Sequence, residues 1–167
     1  KTLRYTYESL VTPDSVFDYD MVSREKTLKK QDEVLGGYDA ADYTTERLWI
    51  QARDGVKVPV SVVYRRDLDR SKPHPLYQYG YGSYGYSIDP YFAAARLSLL
   101  ERGFIVAIAH IRGGQEMGRQ WYENGKLLKK MNTFTDFIDV SKALISKGYT
   151  APDQLVAVGG SAGGLLV

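Results

Sequence analysis

The sequence contains no cysteine. A disulfide scaffold, a thiolate nucleophile and a cysteine-ligated metal site are therefore excluded within these residues. It also lacks any apolar run near the ~20 residues that a bilayer-spanning helix needs. Neither sign of charge dominates: 22 basic and 20 acidic side chains leave a net charge of +2. That balance gives no case for a nucleic acid or an anionic membrane as partner. Lys126, Lys129 and Lys130 do cluster, but Glu123 and Asp136 flank them, so the group reads as a solvated face. Histidine is nearly absent. His74 and His110 are the only two, too few for a zinc site, which needs three or four convergent ligands. There is no Gly-Lys-Ser/Thr phosphate loop. No metal and no cofactor are expected.

What is abundant is tyrosine, 14 of 167 residues, concentrated between Tyr77 and Tyr91. The length and the 44% hydrophobic composition suit one ordinary globular domain. The chain opens on Lys1 and closes six residues after Ser161, inside an expected helix. We expect it to be a piece of a longer protein.

Residues 1 to about 41 differ from the rest. Leu3, Tyr5 and Tyr7 alternate with polar neighbours, as in a half-buried strand. Thr12-Pro13-Asp14-Ser15 reads as a turn, Val16 to Met21 as a looser strand, and Gly36-Gly37 as a break. From Thr44 the pattern sharpens. Glu46–Ala52 and Lys57–Tyr64 flank Asp54-Gly55, a hairpin turn pair, with Pro59 suggesting an edge strand. Leu76–Tyr81 is a third strand. A helix follows, with Phe92, Ala95, Leu99 and Leu100 on one face and Gly103 as its stop. Phe104–Ile111 fits a strand buried on both faces. A second helix is expected over Phe134–Lys147, with Thr133 and Asp136 as a capping box and Gly148 ending it. Leu155–Val158 reads as another buried strand. The order strand, helix, strand, helix, strand, tight turn is that of a doubly wound α/β sheet.

The last strand runs directly into Gly159-Gly160-Ser161-Ala162-Gly163-Gly164. A serine hydroxyl attacks a carbonyl only when its Oγ is exposed and a base takes its proton. A sharp strand-to-helix turn gives the exposure. Glycines two before and two after the serine remove side chains that would collide in it. Gly159 and Gly163 hold those positions, and Gly160 and Gly164 add room. The helix starting at Ala162 directs free N–H groups toward the reacting oxygen. A glycine-rich binding loop is the bland alternative. A buried strand before the motif and Leu165-Leu166-Val167 after it argue for the nucleophile turn. The second constellation is Tyr77 to Tyr86, where glycines interleave with tyrosines. Core packing accounts for most tyrosines, but here the glycines allow tight bends that aim a phenol at the site, where it donates to an oxyanion.

Seven stretches together resemble the prolyl oligopeptidase family of serine peptidases, and within it the oligopeptidase B subfamily. They are Gly36-Gly37-Tyr38, Tyr79 to Tyr84, Ser87-Ile88-Asp89, Arg96 to Leu100, Ile111 to Gly114, Lys129 to Phe134, and Gly159 to Gly164. The resemblance implies a partial α/β-hydrolase sheet preceded by the last strands of a β-propeller. Residues 1–41 are then the end of the propeller and a return linker. Residues 42–167 are the first part of the catalytic segment, cut after the nucleophile turn. It implies Ser161 as nucleophile, the Tyr81 hydroxyl and Ala162 N–H as oxyanion hole, and Tyr84 as an aromatic beside the primary specificity pocket. Asp89 matches an acidic position linked to a second basic substrate residue, while Tyr91 stands where a further acid is common. The implied activity is hydrolysis of short peptides after lysine or arginine through an acyl-serine. The implied partners are short basic peptides, and the expected location is the cytoplasm, with the periplasm as the alternative.

The triad order in this fold is Ser, Asp, His, so His74 and His110, both before Ser161, are not the base. His74 reads as a surface turn residue and His110 as a structural one. Arg112 is expected to pin its loop through a carboxylate such as Glu116. Trp121 and Tyr122 read as packing residues, and Asp136 and Asp139 as caps or surface charges. Lacking the Asp and His, these 167 residues alone are expected to be inactive and to fold marginally. Two rivals stay open: another α/β-hydrolase (a prolyl oligopeptidase-type enzyme, aminopeptidase or esterase), and a non-catalytic hydrolase-like binding module.

Overall fold

Short alternating segments give β1 (Thr2–Ser9), β2 (Thr12–Asp20) and β3 (Lys26–Gln31), an antiparallel three-stranded sheet, in a computed structural model that describes residues 1–167. Most of this sheet faces water. Tyr5 stacks on Phe17 with ring centroids 5.5 Å apart, and Lys26 caps the Phe17 face. The chain reverses at Leu10-Val11, so Thr12-Pro13-Asp14-Ser15, expected as a turn, lies in β2. Pro13 is tolerated there because the β1–β2 register slips between Tyr7 and Ser9, leaving no ladder bond for the N–H it lacks. Ser15 is buried; its hydroxyl donates to the Pro13 carbonyl and accepts from Gln31.

Tyr38 joins this sheet to the remainder. Its ring packs on Tyr43 and Phe92, and its hydroxyl donates to the Val11 carbonyl. Leu10 also enters an apolar cluster with Tyr43, Val63 and Ile88.

The second sheet contains β4 (Tyr43–Gln51), β5 (Lys57–Arg65), β6 (Leu76–Tyr79), β7 (Ile105–Ala109) and β8 (Leu155–Val158), in the order β4-β5-β7-β6-β8. β4, β5 and β7 are antiparallel neighbours, whereas β7, β6 and β8 run parallel. Helix α1 (Ala94–Leu100) covers one face, and α3 (Met131–Ser146) covers the other. A short α2 (Arg119–Glu123) and the terminal α4 (Ala162–Leu166) complete the set. This is a partial α/β-hydrolase fold, wound on both faces.

Alternation sorts the side chains between two cores. Val58, Val60 and Val62 of β5 and Ile105, Ala107 and Ala109 of β7 face α3, with Val140 and Leu144. Val63, Val106 and Ile108 face α1, with Leu100. β5 is therefore buried on both faces and interior to the sheet, not an edge. Pro59 survives because the His110 carbonyl opposite its missing N–H, just past the end of β7, accepts from the Trp121 indole instead, while the Pro59 carbonyl accepts from the His110 N–H.

Helix α3 starts at Met131, three residues before the expected Phe134. Thr133 and Asp136 thus lie inside the helix and are buried; they form no capping box. Its inward stripe is Thr133, Asp136, Phe137, Val140 and Leu144, and Ile138 faces solvent. Ser141 fits beside that stripe because it donates to Gln78, a fully buried β6 residue that in turn donates to the Phe137 carbonyl. On α1 only Leu100 is buried; Ala95 is exposed, and Phe92 precedes the helix. β8 was expected to be buried, yet Val156 and Ala157 are exposed, because β6 is its only strand neighbour here.

Candidate active site

Parallel strands bring their carboxyl ends to one side of a sheet, and loops leaving adjacent strands meet there. β6 and β8 are adjacent and parallel. Their following loops carry Tyr81 and Ser161. The Gly80 N–H donates to the Val158 carbonyl at 3.2 Å, which locks the two exits together. A Cβ placed on Gly163 would stand 2.7 Å from the Gly80 carbonyl oxygen and 3.7 Å from the Tyr81 Cα. The loop of Tyr81 and the first turn of α4 are thus in direct contact.

Ser161 occupies the cap position of α4 with φ 55° and ψ −119°. Such a conformation strains a residue with a side chain by about 1–3 kcal/mol and persists only where its surroundings enforce it. The enforcement is visible. A Cβ on Gly159 would fall 2.1 Å from the Gly163 carbonyl oxygen, so glycine is required there. Gly160, by contrast, has open space around its α-carbon, and Gly164 has only the Gly159 carbonyl oxygen at 4.0 Å. Neither relieves a clash. Ser161 is exposed, as an attacking hydroxyl must be. Ala162 is the first residue of α4, so its N–H has no acceptor within the helix and is free for an incoming oxygen.

The tyrosine-glycine loop winds through three unusual backbone positions, with positive φ at Gly82, Tyr84 and Gly85. Gly80-Tyr81-Gly82-Ser83-Tyr84-Gly85 has the G-x-G-x-x-G spacing of a dinucleotide turn. The helix that such a turn must open is missing, since the next helix begins only at Ala94. The spacing is therefore incidental here. Tyr81 is half-buried, its ring edge-on to Tyr86 at 5.7 Å. Tyr84 is largely exposed. Asp89 is exposed in a cleft of about 410 Å³ lined also by Glu8, Tyr79, Tyr86 and Tyr91. Tyr86 thus stands between Tyr81 and the Asp89 cleft.

Arg112 carries the electrostatics behind this loop. It is buried, and so is Asp136. Arg112 donates to Asp136 from its backbone N–H at 3.0 Å, from Nε at 2.9 Å and from Nη2 at 2.6 Å. Nη1 reaches Asp54 in the β4–β5 turn at 2.6 Å. The hydrogen bond from Arg112 holds the Asp54 carboxyl below the usual carboxylate range. Arg112 therefore pins its loop, but through Asp136 and Asp54 instead of Glu116. Asp136, expected at the surface, is the central acceptor. Asp139 pairs with Arg53 at 2.8 Å.

His110 is buried, with Nε2 2.8 Å from the Ser61 hydroxyl and Nδ1 3.7 Å from Glu116. Ser61, His110 and Glu116 match the residue types of a hydrolytic triad. Ser61 is also buried, on β5, so no substrate carbonyl can approach it. His110 is structural, as expected. His74, expected at the surface, is buried, and its Nε2 lies 2.6 Å from the Asp69 carbonyl oxygen. Trp121 is buried and donates to the His110 carbonyl; Tyr122 packs under Arg119 and Lys126.

Two residues that the sequence placed elsewhere, Thr133 in a capping box and Lys130 on a solvated face, converge on the loop. Thr133 Oγ1 lies 2.7 Å from the Arg112 carbonyl oxygen and 3.4 Å from that of Gly82. Lys130, read as part of a solvated face, instead turns inward and donates to the Gly82 carbonyl and the Ser83 hydroxyl. Nothing in the local sequence separates Lys130 from Lys129; only the α3 start fixes which lysine points inward.

The geometry has clear relatives. Residues 90–167 match a sequence model of the prolyl oligopeptidase family. The chain is 54% identical over 166 residues to dipeptidyl aminopeptidase BI of Pseudoxanthomonas mexicana, aligning 99% of the chain with 23% of that protein. It is 50% identical to Protease 2 of Moraxella lacunata, with 96% of the chain and 23% of that protein aligned. The solved structure of oligopeptidase B from Leishmania major superposes with a TM-score of 0.91 at 52% identity, over 99% of this chain and 23% of that one. The chain thus spans about a quarter of the length of these relatives.

Proposed function

We propose, from the match of residues 90–167 to the prolyl oligopeptidase family, that the chain carries the nucleophile and oxyanion half of a serine peptidase active site. The observation that carries the reading is the contact between the Gly80–Tyr81 exit and the first turn of α4, with Ser161 exposed and at positive φ. In the proposed reaction, Ser161 Oγ attacks the scissile carbonyl. The Ala162 N–H and the Tyr81 hydroxyl receive the oxygen as it gains charge. Collapse of the tetrahedral species expels the amine and leaves acyl-Ser161, which water then hydrolyses. Preorganised donors of this kind each contribute about 10²–10³ in rate. The aspartate and histidine of the triad come from residues outside this chain, since both of its histidines are buried and engaged elsewhere, His110 with Ser61 and His74 with the Asp69 carbonyl.

The substrate class is short peptides cleaved after lysine or arginine. Asp89 supports a preference for basic residues, because an exposed carboxylate in a cleft beside the loop suits a guanidinium or ammonium. Glu8 and Tyr91 line the same cleft and add a second carboxylate and an aromatic face. A second reading rests on the 54% identical relative, a dipeptidyl aminopeptidase. In that reading the Asp89 cleft takes a free α-ammonium, and dipeptides leave from the substrate's amino end.

A substrate panel on the complete protein carrying this chain decides the matter. Arginyl and lysyl amides, each with blocked and free amino termini, are compared with prolyl amides and simple esters. Preference for blocked basic substrates supports the first reading, and strict need for a free terminus supports the second. Absence of any basic preference overturns the first, and efficient cleavage of blocked substrates overturns the second. The 167 residues alone are expected to give no turnover; efficient cleavage by them contradicts the assignment of the base to residues outside the chain.

A further inference from the structure

Lys130 is half-buried and has no carboxylate partner; burial alone lowers its pKa. Its neighbours are satisfied otherwise, Lys126 by Glu123 and Lys129 by the Asn124 side-chain oxygen. Burying an ammonium without a counter-ion is costly unless hydrogen bonds hold it. Lys130 Nζ donates to the Gly82 carbonyl at 2.5 Å and to the Ser83 hydroxyl at 2.7 Å. These groups belong to the two residues that follow Tyr81.

The surroundings make this grip directional. Gly82 sits at φ 67°, and a Cβ there would lie 2.4 Å from Thr133 and 2.8 Å from Ile111. A Cβ on Gly113 would lie 2.0 Å from the Gly82 carbonyl oxygen. The Gly82 peptide is therefore wedged against Ile111, Gly113 and α3. Lys130 and Thr133, one turn of α3 apart, reach its carbonyl from the helix side. The bend at Gly82 sets where the Tyr81 side chain leaves the backbone, and the Tyr81–Tyr86 contact fixes the ring on the other side.

We infer that Lys130 is a positioning residue for the oxyanion tyrosine: through the Gly82 carbonyl and the Ser83 hydroxyl it holds the 80–86 loop so that the Tyr81 hydroxyl faces the carbonyl attacked by Ser161. The inference rests on the reading of Tyr81 as an oxyanion donor. A positioning role acts on the transition state more than on substrate binding, so it shows in kcat and leaves KM little changed.

The test is a cycle in the complete protein, assayed on its best peptide amide. Tyr81→Phe alone is expected to lower kcat about 100-fold or more. Lys130→Met is expected to lower kcat about 10- to 100-fold, since misplacement by about 1 Å costs up to ~100-fold. Lys130→Arg, which keeps a charged donor, recovers most of that loss. In the Tyr81→Phe background, Lys130→Met is expected to change kcat by less than about threefold, because the hydroxyl it positions is gone. If Lys130→Met does not fold by circular dichroism, Lys130→Gln carries the same cycle. Unchanged kcat in Lys130→Met, or an equal loss in both backgrounds, overturns the inference while leaving Tyr81 as a donor. Unchanged kcat in Tyr81→Phe overturns the oxyanion reading and the inference with it.

Discussion

Asp136→Asn tests whether the Arg112 network is held by charge. Arg112 has 4% of its side chain exposed and Asp136 none. Three hydrogen bonds run from Arg112 to this one carboxylate. Asparagine keeps the shape but removes the charge, and its amide nitrogen turns a donor toward a guanidinium that is already all donor. Asp54 remains, but its side chain is 40% exposed, so water weakens its hold on Arg112. Removing one partner of a buried pair costs about 3–5 kcal/mol. For a cooperative unit of 150–250 residues that is a fall of roughly 6–20 °C in Tm. The double variant Arg112→Met with Asp136→Leu removes both charges, so the unpaired-ion penalty disappears. What stays is the Arg112 backbone N–H without its acceptor, about 1–3 kcal/mol. The double variant is therefore expected to melt above Asp136→Asn, although it changes more atoms. Scanning calorimetry on the complete protein, following the transition that Asp136→Asn shifts, reads both. A double variant as unstable as the sum of Arg112→Met and Asp136→Leu refutes the reasoning, as does a loss below about 1 kcal/mol in Asp136→Asn.

Three further outcomes are expected. Hydrogen bonds from Arg112 and Arg53 depress the Asp54 and Asp139 carboxyls. Both therefore add stability above about pH 3.9 and lose it as pH falls toward their depressed values; a urea midpoint that stays constant from pH 5 to pH 2 contradicts this. In the nucleophile turn, Gly163→Ala brings a Cβ to 2.7 Å from the Gly80 carbonyl oxygen, whereas Gly160→Ala meets nothing within 4 Å. Gly163→Ala should lose about 100-fold in kcat while Gly160→Ala keeps near-native activity, and similar kcat values for the two count against the geometry. Finally, β8 leaves Val156 exposed and α4 leaves Leu165 exposed. The 167 residues by themselves should melt broadly at low temperature, and a sharp transition above about 60 °C, beyond much of the mesophile range, contradicts that.

What the sequence made legible was local. The strand-to-helix turn at Ser161 is written in glycine spacing, and the structure gives each of Gly159 and Gly163 a backbone atom to avoid. The strand and helix order followed from apolar periodicity. What stayed hidden depended on partners distant in the chain. Pro59 looked like an edge marker because nothing local tells that the Trp121 indole takes up the His110 carbonyl opposite it. The start of α3 was misplaced by three residues because Lys130 caps it with no side-chain hydrogen bond. That error hid the inward stripe, turning Asp136 into a presumed cap and Lys130 into a presumed surface charge. His74, between two prolines, looked like an exposed turn until the Asp69 carbonyl supplied its buried partner. The Glu8 contribution to the Asp89 cleft joins β1 to a loop some eighty residues later, and no local pattern encodes it.

The central claim is that Ser161 is the nucleophile. Treatment of the complete protein with a serine-directed fluorophosphonate, followed by peptide mass spectrometry, tests it most directly. The account predicts one adduct, on Ser161, with loss of peptidase activity, and neither adduct nor activity in Ser161→Ala. An adduct on another serine such as Ser61, or peptidase activity retained in Ser161→Ala, contradicts it.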